Sequence, residues 1–552
     1  MKNIAWRFCV FLLAWSLFAS SARANVYATD IKFDGSRTLV TSNAGGNLNI
    51  SYILNEPATL GVTISISANS NVVRTIPVAA GANGTLRGAN LVRWNGDDAN
   101  GISVTPGPYT VSITAAASGY TNWTQISRDT NAGNYVFEPR GVAVDNNSNS
   151  LYYGRVFIGS AGTGPSPTTT PGDNDIILKL NADGTFADDG PDGNGGFNGI
   201  FDDGQGDVPQ KLRVGDDDRL YMMDITSLGE VVAFDMALTT NQVVLNQNNY
   251  TDNPFYLNGT LPSGLGWFSM DVTDTATTNG RIWLGEIDAD GAGVWNWHMI
   301  NGIADTNDDS GTQAVAVGGN LSVAASGGLM VDTNFDIYVG QDLTAANATN
   351  AACMDFLNWE GTTLSNSPAW TAGAGDSTFL GVYDTTIDSR NNPKYVACAM
   401  NSQPVTNGVR ILDALTGATI VPNLDPTNQY YATAWDNAGN LYAVTGSTHL
   451  LRVFSPPGTN EATTVAAIQV GEAPPAPPAP IGIIFNKTTV TVTFGAAAPH
   501  TISNFSLASA PVISGPYVLV TNAVGSQIEQ GFFGFTAPTN GPKQFYEILQ
   551  TQ

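Results

Sequence analysis

The sequence predicts an all-β chain in which a β-propeller of six sheets, or seven, lies between two small β-sandwich domains. Three observations carry that prediction. Residue usage favours turns and strands: Gly numbers 59 and only 12% of residues are charged, where about 25% is usual for soluble domains, and long Glu/Lys/Leu-rich helical stretches are absent. An apolar strand, an acidic turn and an aromatic-led strand recur six times along the middle of the chain. A proline-rich spacer then isolates the last segment. At 552 residues the chain exceeds what one compact core usually holds, and about three domains are expected.

The chain opens on Lys2 and Arg7, an apolar run from Phe8 to Phe18, and Ala22-Arg23-Ala24. This is the pattern of a cleaved export signal, 1–24. The apolar run is too short for a membrane anchor crossing about 30 Å of hydrocarbon. Loss of Lys2, Arg7 and Arg23 from the 22 cations leaves 19 against 47 acids, a net of −28 from Asn25 onward. No later segment approaches the apolar length of a membrane helix, so no integral segment is expected after cleavage and the protein is expected to be secreted, periplasmic or attached to the cell surface. The acidic balance excludes nucleic acid, which needs clustered cations to neutralise phosphate. Cys9 leaves with the signal; Cys353 and Cys398 form an even pair in an oxidising compartment, expected as one disulfide or as two buried thiols.

Residues 25–120 alternate apolar and polar side chains, as in Leu48-Asn49-Ile50-Ser51-Tyr52-Ile53 and Gly61-Val62-Thr63-Ile64-Ser65-Ile66, and read as a β-sandwich. Its end, Arg93-Trp94-Asn95-Gly96-Asp97-Asp98-Ala99-Asn100-Gly101 followed by Pro106-Gly107-Pro108-Tyr109, resembles the Ig-like domain of the FlgD type. The resemblance implies a packing tryptophan, an external Gly-Asp hairpin, a strand opened by Pro-Gly-x-Tyr, and a spacer or adhesive role without catalytic residues.

Residues 121–470 hold the repeat. Its copies run from Gly141-Val142-Ala143-Val144-Asp145 to Tyr152, from Val214-Gly215-Asp216 to Tyr221, from Met270-Asp271 to Trp283, from Val331-Asp332 to Tyr338, from Ile387-Asp388 to Tyr395, and from Trp435-Asp436 to Tyr442. The aromatics recur every 47 to 69 residues, the length of a four-stranded propeller unit. A seventh unit is possible if 122–140 or 340–384 is built from irregular strands. The last copy, Asp436-Asn437-Ala438-Gly439-Asn440-Leu441-Tyr442-Ala443-Val444, resembles the NHL-type and gluconolactonase-like propellers. That family hosts binding modules and enzymes alike, and its enzymes hold a divalent ion in the channel; its ligands have no residue-by-residue counterparts here.

Gly471 to Pro480, with five prolines, is a stiff solvated linker, 471–480. Residues 481–552 contain strand-like runs at Ile481–Phe485, Thr488–Phe494, Phe505–Leu507, Tyr517–Val520 and Phe545–Ile548, a second sandwich. The segment Ser514-Gly515-Pro516-Tyr517-Val518-Leu519-Val520 with Phe545-Tyr546-Glu547-Ile548 resembles the C-terminal β-domains of secreted Verrucomicrobia and Planctomycetes proteins, which implies secretion, sorting or surface association.

Chemistry is sparse. The histidines are His298, His449 and His500; no Gly-x-Ser-x-Gly elbow accompanies them and their scatter gives no zinc site. Carboxylates are richer. Asp188, Asp189, Asp192, Asn194, Asn198, Asp202, Asp203 and Asp207 alternate with glycines in a loop suited to wrapping Ca²⁺. It departs from an EF-hand: with Asp192 first and Asp203 twelfth, Gly196 takes the fifth place and Phe197 the sixth, where glycine is required. Asp305, Asn307 and Asp309 begin a better match, and Glu286, Asp288 and Asp290 form a smaller cluster. The alternative for each is a solvated acidic turn.

The leading expectation is an exported, non-enzymatic binding or scaffold protein whose propeller offers a face to a glycan, a peptide or a cell-surface protein. Trp267, Trp283, Trp295, Trp297, Trp359 and Trp370 are candidate sugar platforms, of which two or fewer are expected to face a ligand. The rivals are a Ca²⁺-dependent lactonase- or lyase-like enzyme, marked by oxygens from several sheets converging at the channel mouth, and a structural subunit of a surface layer or filament.

Overall fold

The computed structural model describes residues 25–37, 41–42, 47–161, 177–191, 195–197, 209–224, 231–245, 267–286, 293–300, 302–304, 312–316, 326–341, 352–360, 364–365, 367–402, 406–470, 479–486, 488–495, 502–512, 517–529, 532–539 and 545–550. Among them there is no α-helix, and hence none long and apolar enough to cross a membrane. Two compact units are present, one reaching to Ile468 and the other essentially from Gln469 onward.

The first unit contains the N-terminal sandwich. One sheet joins Ala28–Phe33, Leu48–Leu54 and Gly88–Trp94; the other runs in the order Thr41–Ser42, Gly458–Val470, Gly107–Tyr120, Gly61–Ala68, Asn71–Val78. Alternation buries Tyr109, Val111, Ile113 and Ala115 on one face of Gly107–Tyr120, opposite Leu48, Ile50 and Tyr52 of the facing sheet. Trp94 is buried against Tyr109, ring centres 6.2 Å apart, and its indole N–H donates to the Asp97 carbonyl at 2.9 Å. It is a core residue, and the hairpin after it is held by Asp98 Oδ1, which accepts the N–H groups of Asn100 and Ile102 at 2.8 and 2.9 Å.

One strand departs from the sequence expectation. Gly458–Val470 falls in the stretch read as propeller, yet it lies in the sandwich sheet, where Thr463 and Thr114 hydroxyls meet at 2.8 Å and Thr464 Oγ1 donates to the Ala28 carbonyl at 2.7 Å. The cause is the closure of the propeller. Thr124–Gln125, on the way in, pairs with Leu451–Ser455, on the way out, and Tyr120 bridges to Pro457. Entry and exit therefore run side by side into one sandwich sheet, and the propeller is an insertion in the sandwich.

The propeller's described residues form six antiparallel sheets with inner strands Pro139–Val144, Pro209–Val214, Trp267–Thr273, Ser326–Val331, Val382–Ile387 and Tyr430–Trp435. Each inner strand packs against the next, and the sixth against the first, so the ring is closed. Sheets stacked on both faces need apolar residues on both faces; accordingly Val156–Ser160, Ile337–Gln341 and Leu441–Thr445 are buried throughout. The repeated acid has a local task. Asp145, Asp332, Asp388 and Asp436 follow four of the inner strands, and Oδ1 of each accepts backbone N–H groups of its own turn, from Asn147 (2.9 Å), Asn334 and Asp336 (2.8 and 3.0 Å), Lys394 and Tyr395 (2.8 and 3.0 Å) and Asn440 (2.8 Å). These are side-chain-closed turns that start the second strand. In the first copy the second strand begins at Val156, later than Leu151-Tyr152, because the intervening turn reaches the sandwich, where Tyr153 meets Tyr27 edge-on at 5.6 Å.

The second unit is a sandwich of its own. Ala479–Phe485, Thr489–Gly495, Phe532–Pro538 and Val524–Glu529 form one sheet, and Val518–Leu519, Phe505–Ala510 and Phe545–Gln550 the other. Phe494 sits 5.0 Å from Phe505, 5.7 Å from Phe533 and 5.9 Å from Phe535. Val524–Glu529 and Phe532–Pro538 were not among the strands expected.

Candidate functional site

Asp188 and Asp189, the first two residues of the acidic loop, are ion-paired. Lys32 Nζ lies 2.7 Å from Asp188, and Arg37 bonds Asp188 at 2.9 Å and Asp189 at 3.0 Å. Arg155 reaches Asp189 at 3.2 Å and Asp30 at 3.1 Å, while Lys179 lies 3.3 Å from Asp189. Arg155 and Lys179 have side-chain exposures of 1% and 0%, so the cluster is an internal joint between the sandwich and the first propeller sheet. Burial alone would raise the Asp188 carboxyl, but Lys32 and Arg37 hold it below the usual carboxylate range. Burial pushes Lys179 down to about 8 despite Asp189. Asp192, Asn194, Asn198, Asp202, Asp203, Asp207, Asp305, Asn307 and Asp309 lie outside the described residues, as do Asp288 and Asp290. Among the described residues no group of three or more His, Cys, Asp or Glu is placed to hold a metal ion.

Cys353 and Cys398 are free, buried thiols in one core cluster with Tyr338, Phe379 and Met400. Burial pushes the Cys353 thiol up to about 12 and Cys398 higher still.

Five of the six candidate aromatic platforms are packing residues. Trp283 is fully buried and meets Trp359 edge-on at 5.6 Å; Trp297 is buried and Trp295 packs on the same cluster; Trp370 stacks on Phe356 at 5.7 Å and donates to the Ala414 carbonyl at 3.0 Å. The Trp267 side chain lies outside the described residues. His298 Nε2 is 2.6 Å from the Thr278 carbonyl, and His449 stacks on Phe137 at 5.9 Å.

The sequence reading missed an ionic network inside the ring. Arg390 grips Asp271 with Nη2 to Oδ1 at 2.6 Å and Nη1 to Oδ2 at 2.7 Å. Arg213 reaches Asp384 at 3.0 Å, and Lys211 lies 3.5 Å from the same carboxylate while donating to the Tyr383 carbonyl at 2.6 Å. Each aspartate also accepts the N–H of the next inner strand: Asp271 from Val331 at 2.7 Å, Asp384 from Thr433 at 2.9 Å. Burial draws Lys211 down to about 8 against the pull of Asp384. Lys211, Arg213, Asp271 and Asp384 lie on inner strands and Arg390 in the turn after the fifth, far apart in sequence, so only the folded ring reveals them.

Above this network, at the ends of the inner strands, a cavity of about 440 Å³ draws lining groups from all six sheets. Asn146, Asp216, Asp274, Thr333, Asn391 and Asn437 represent the sheets in order. Hydrogen bonds fix the rim: Asn146 Nδ2 donates to the Trp435 carbonyl at 2.8 Å, Asp217 N–H to Thr275 Oγ1 at 3.1 Å, and Thr333 N–H to the Arg390 carbonyl at 3.1 Å. Burial and the charge of Asp216 raise the Asp274 carboxyl; burial and Asp336 raise that of Asp332. Oxygens and amides from different sheets thus converge at the channel mouth, but the arginines beneath are neutralised by Asp271 and Asp384. Chemically the cleft sets hydrogen-bonding side chains beside apolar ones, among them Val144, Met330, Phe335, Ile387 and Trp435, over an ion-paired floor.

The architecture is that of a β-propeller carried by an Ig-like sandwich. Residues 36–119 match the FlgD Ig-like domain family. No curated protein matches the chain. Among solved structures, the WD40 β-propeller domain of Doa1 is 13% identical, with 61% of this chain and 97% of that one covered at a TM-score of 0.35. The calcium structure of the Trichoderma reesei Carbohydrate-Active Enzymes Family AA12 is 12% identical, covering 64% and 97% at 0.35. PorZ, a bacterial surface component of the type-IX secretion system of Porphyromonas gingivalis, is 12% identical, covering 87% of this chain and 68% of that one at 0.35.

Proposed function

We propose that the chain is an exported binding scaffold whose propeller presents the cleft at the inner-strand ends to a glycan, with the sandwiches spacing or attaching it. The observation that carries the reading is the cleft itself, where Asn, Asp and Thr side chains from six sheets surround about 440 Å³. Short amide, hydroxyl and carboxylate groups match sugar hydroxyls in both donor and acceptor character. The arginines beneath are already paired with Asp384 and Asp271, which suits a neutral ligand better than a strongly anionic one. Peptide and surface-protein ligands are the other outcomes. The test is binding of the purified chain to an array of soluble glycans and peptides, repeated with Asp216→Ala and Asn391→Ala, both at exposed positions of the rim. Glycan binding weakened at least about tenfold by either change, about 1.4 kcal/mol, supports the proposal. Binding to peptides alone, or glycan binding indifferent to both changes, overturns it.

The NHL- or gluconolactonase-like character of the propeller, and the secreted-protein type of the C-terminal domain, belong to the same proposal and rest on the motifs quoted above. A calcium-dependent lactonase- or lyase-like enzyme is favoured by two observations, the oxygens that different sheets bring to the channel mouth and the raised carboxyls of Asp274 and Asp332 in the cleft. The cleft residues described do not assemble a metal-binding group, so no catalytic step through an ion is derived for them. Calcium in the Asp192–Asp207 loop remains part of the proposal, with assembly into a surface layer as the reading that calcium-driven self-association would support.

A further inference from the structure

The starts of the inner strands build the end of the channel opposite the cleft. Arg140, Lys211, Tyr383 and Tyr431 belong to the first, second, fifth and sixth of these strands, and Arg140 lies about 13 Å of strand before the cleft residue Val144. Lys211 reaches across the ring, donating to the Tyr383 carbonyl at 2.6 Å and the Tyr431 carbonyl at 3.3 Å, with Asp384 at 3.5 Å. Tyr383 meets Tyr431 edge-on at 5.6 Å. Gly446 leaves room for the Tyr431 ring, since a Cβ there would fall 1.7 Å from its Cε2. The half-buried Arg140 rests its guanidinium over that same ring, 4.9 Å from the centre. Its Nε is buried without a hydrogen-bond partner, and among the described residues no carboxylate is paired with it.

We propose that this end of the channel is a second binding site, for a small monocarboxylate with an apolar body, gripped by Arg140 and flanked by Tyr383 and Tyr431. A guanidinium lying flat on a ring turns its N–H edge away from that ring, in the fork that a carboxylate accepts with both oxygens. A buried donor without an acceptor is costly, and the chain has 47 acids for 22 cations, so a shortage of anions is not why Arg140 lacks one. Charge and access set the ligand class. Lys211 and Arg213 are enclosed and already engaged by Asp384, so Arg140 is the cation here that a ligand can touch, and it matches one negative charge. Burial draws Lys211 down to about 8, and Arg213 and Arg140 add to the shift, a crowding of cations that an arriving carboxylate relieves. The two tyrosine rings, both half-buried, offer the apolar flank.

Sodium benzoate is the probe, with benzamide as its uncharged counterpart and inorganic phosphate as a more highly charged oxyanion, all at constant ionic strength. Thermal unfolding of the purified chain is expected to shift upward with benzoate, less with phosphate and not with benzamide. The benzoate shift is expected to vanish in Arg140→Gln and to survive in part in Arg140→Lys, which keeps the charge without the fork. No shift with benzoate, an equal shift with benzamide, or a benzoate shift retained in Arg140→Gln overturns the site; a larger shift with phosphate overturns the monocarboxylate. Wild type supplies a check that needs no variant. Phenylglyoxal, which modifies arginine, is followed at the Arg140 peptide by mass spectrometry, and benzoate at about ten times its Kd should slow the reaction about tenfold; no protection of Arg140 overturns the site. The benzoate shift should persist in Asp216→Ala and Asn391→Ala. A shift lost there puts the anion in the cleft and overturns this site while leaving the cleft reading standing.

Discussion

Asp271 and Arg390 form a two-point ion pair across the propeller, joining the third inner strand to the turn after the fifth at 2.6 and 2.7 Å. Asp271 is fully buried, and it also accepts the Val331 N–H and lies 3.8 Å from Arg213. One carboxylate therefore links its own sheet to groups from three others. Asp271→Ala leaves Arg213 and Arg390 without their shared anion and the Val331 amide without its acceptor. A loss of about 3–5 kcal/mol is expected, the cost of breaking one half of a buried pair, read as the denaturant midpoint at constant m-value. A loss below about 1 kcal/mol would show that the network is incidental to ring closure.

The two acids at the start of the glycine-rich loop separate by burial. Asp188 is 65% exposed and Asp189 11%, yet both face Arg37 and Arg155. Asp188→Ala is expected to cost no more than about 1 kcal/mol, as exposed pairs do. Asp189→Ala strands Lys179 inside the joint, leaves Arg155 with Asp30 as its remaining buried carboxylate, and is expected to cost about 3–5 kcal/mol. Calcium titration followed by thermal unfolding divides the remaining readings of the loop, since ligand at 100 times its Kd adds about 2.7 kcal/mol. Because Asp188 is engaged with Lys32 and Arg37, Asp188→Ala should leave that calcium response unchanged; a response lost with Asp188 would make it a ligand.

The part of the fold that was legible in the sequence is the part whose causes are local. Asp436 and Asn440 close their turn within five residues, and Trp94 caps a hairpin that begins at the next residue, so composition and spacing expose both. Gly458–Val470 was misplaced because strand periodicity says nothing about which sheet a strand joins; that was decided by Thr124–Gln125 pairing with Leu451–Ser455, far apart in sequence. The cleft and the ionic floor were invisible for the same reason. Arg390 and Asp271 are 119 residues apart, and each in isolation reads as an ordinary turn or strand residue.

Cys353 and Cys398 give a chemical check on the core. Burial raises both thiols far from ionisation at neutral pH, and the thiolate is the reactive form. The folded chain from Asn25 onward should leave a thiol reagent unreacted at pH 8, and the chain unfolded in denaturant without reductant should titrate two thiols. No thiols after unfolding would establish the disulfide instead.

Asp355 offers the cleanest pH probe. It is 1% exposed, accepts Gln341 Nε2 at 2.6 Å, and burial pushes its carboxyl up to about 7, against about 3.9 for an exposed aspartate. Between those values the unfolded chain has released the proton and the folded chain retains it, so the native state binds more protons and its stability falls as pH rises. Below about 4 both states are protonated, and above about 7 both are ionised, so the contribution is flat outside that window. Asp355→Asn keeps the shape and removes the titration. Relative to wild type, the variant should therefore gain stability from pH 4 to pH 7 and hold that gain above it, measured as the difference in denaturant midpoints across the range. A difference independent of pH would mean that Asp355 titrates in the folded chain as it does in the unfolded one.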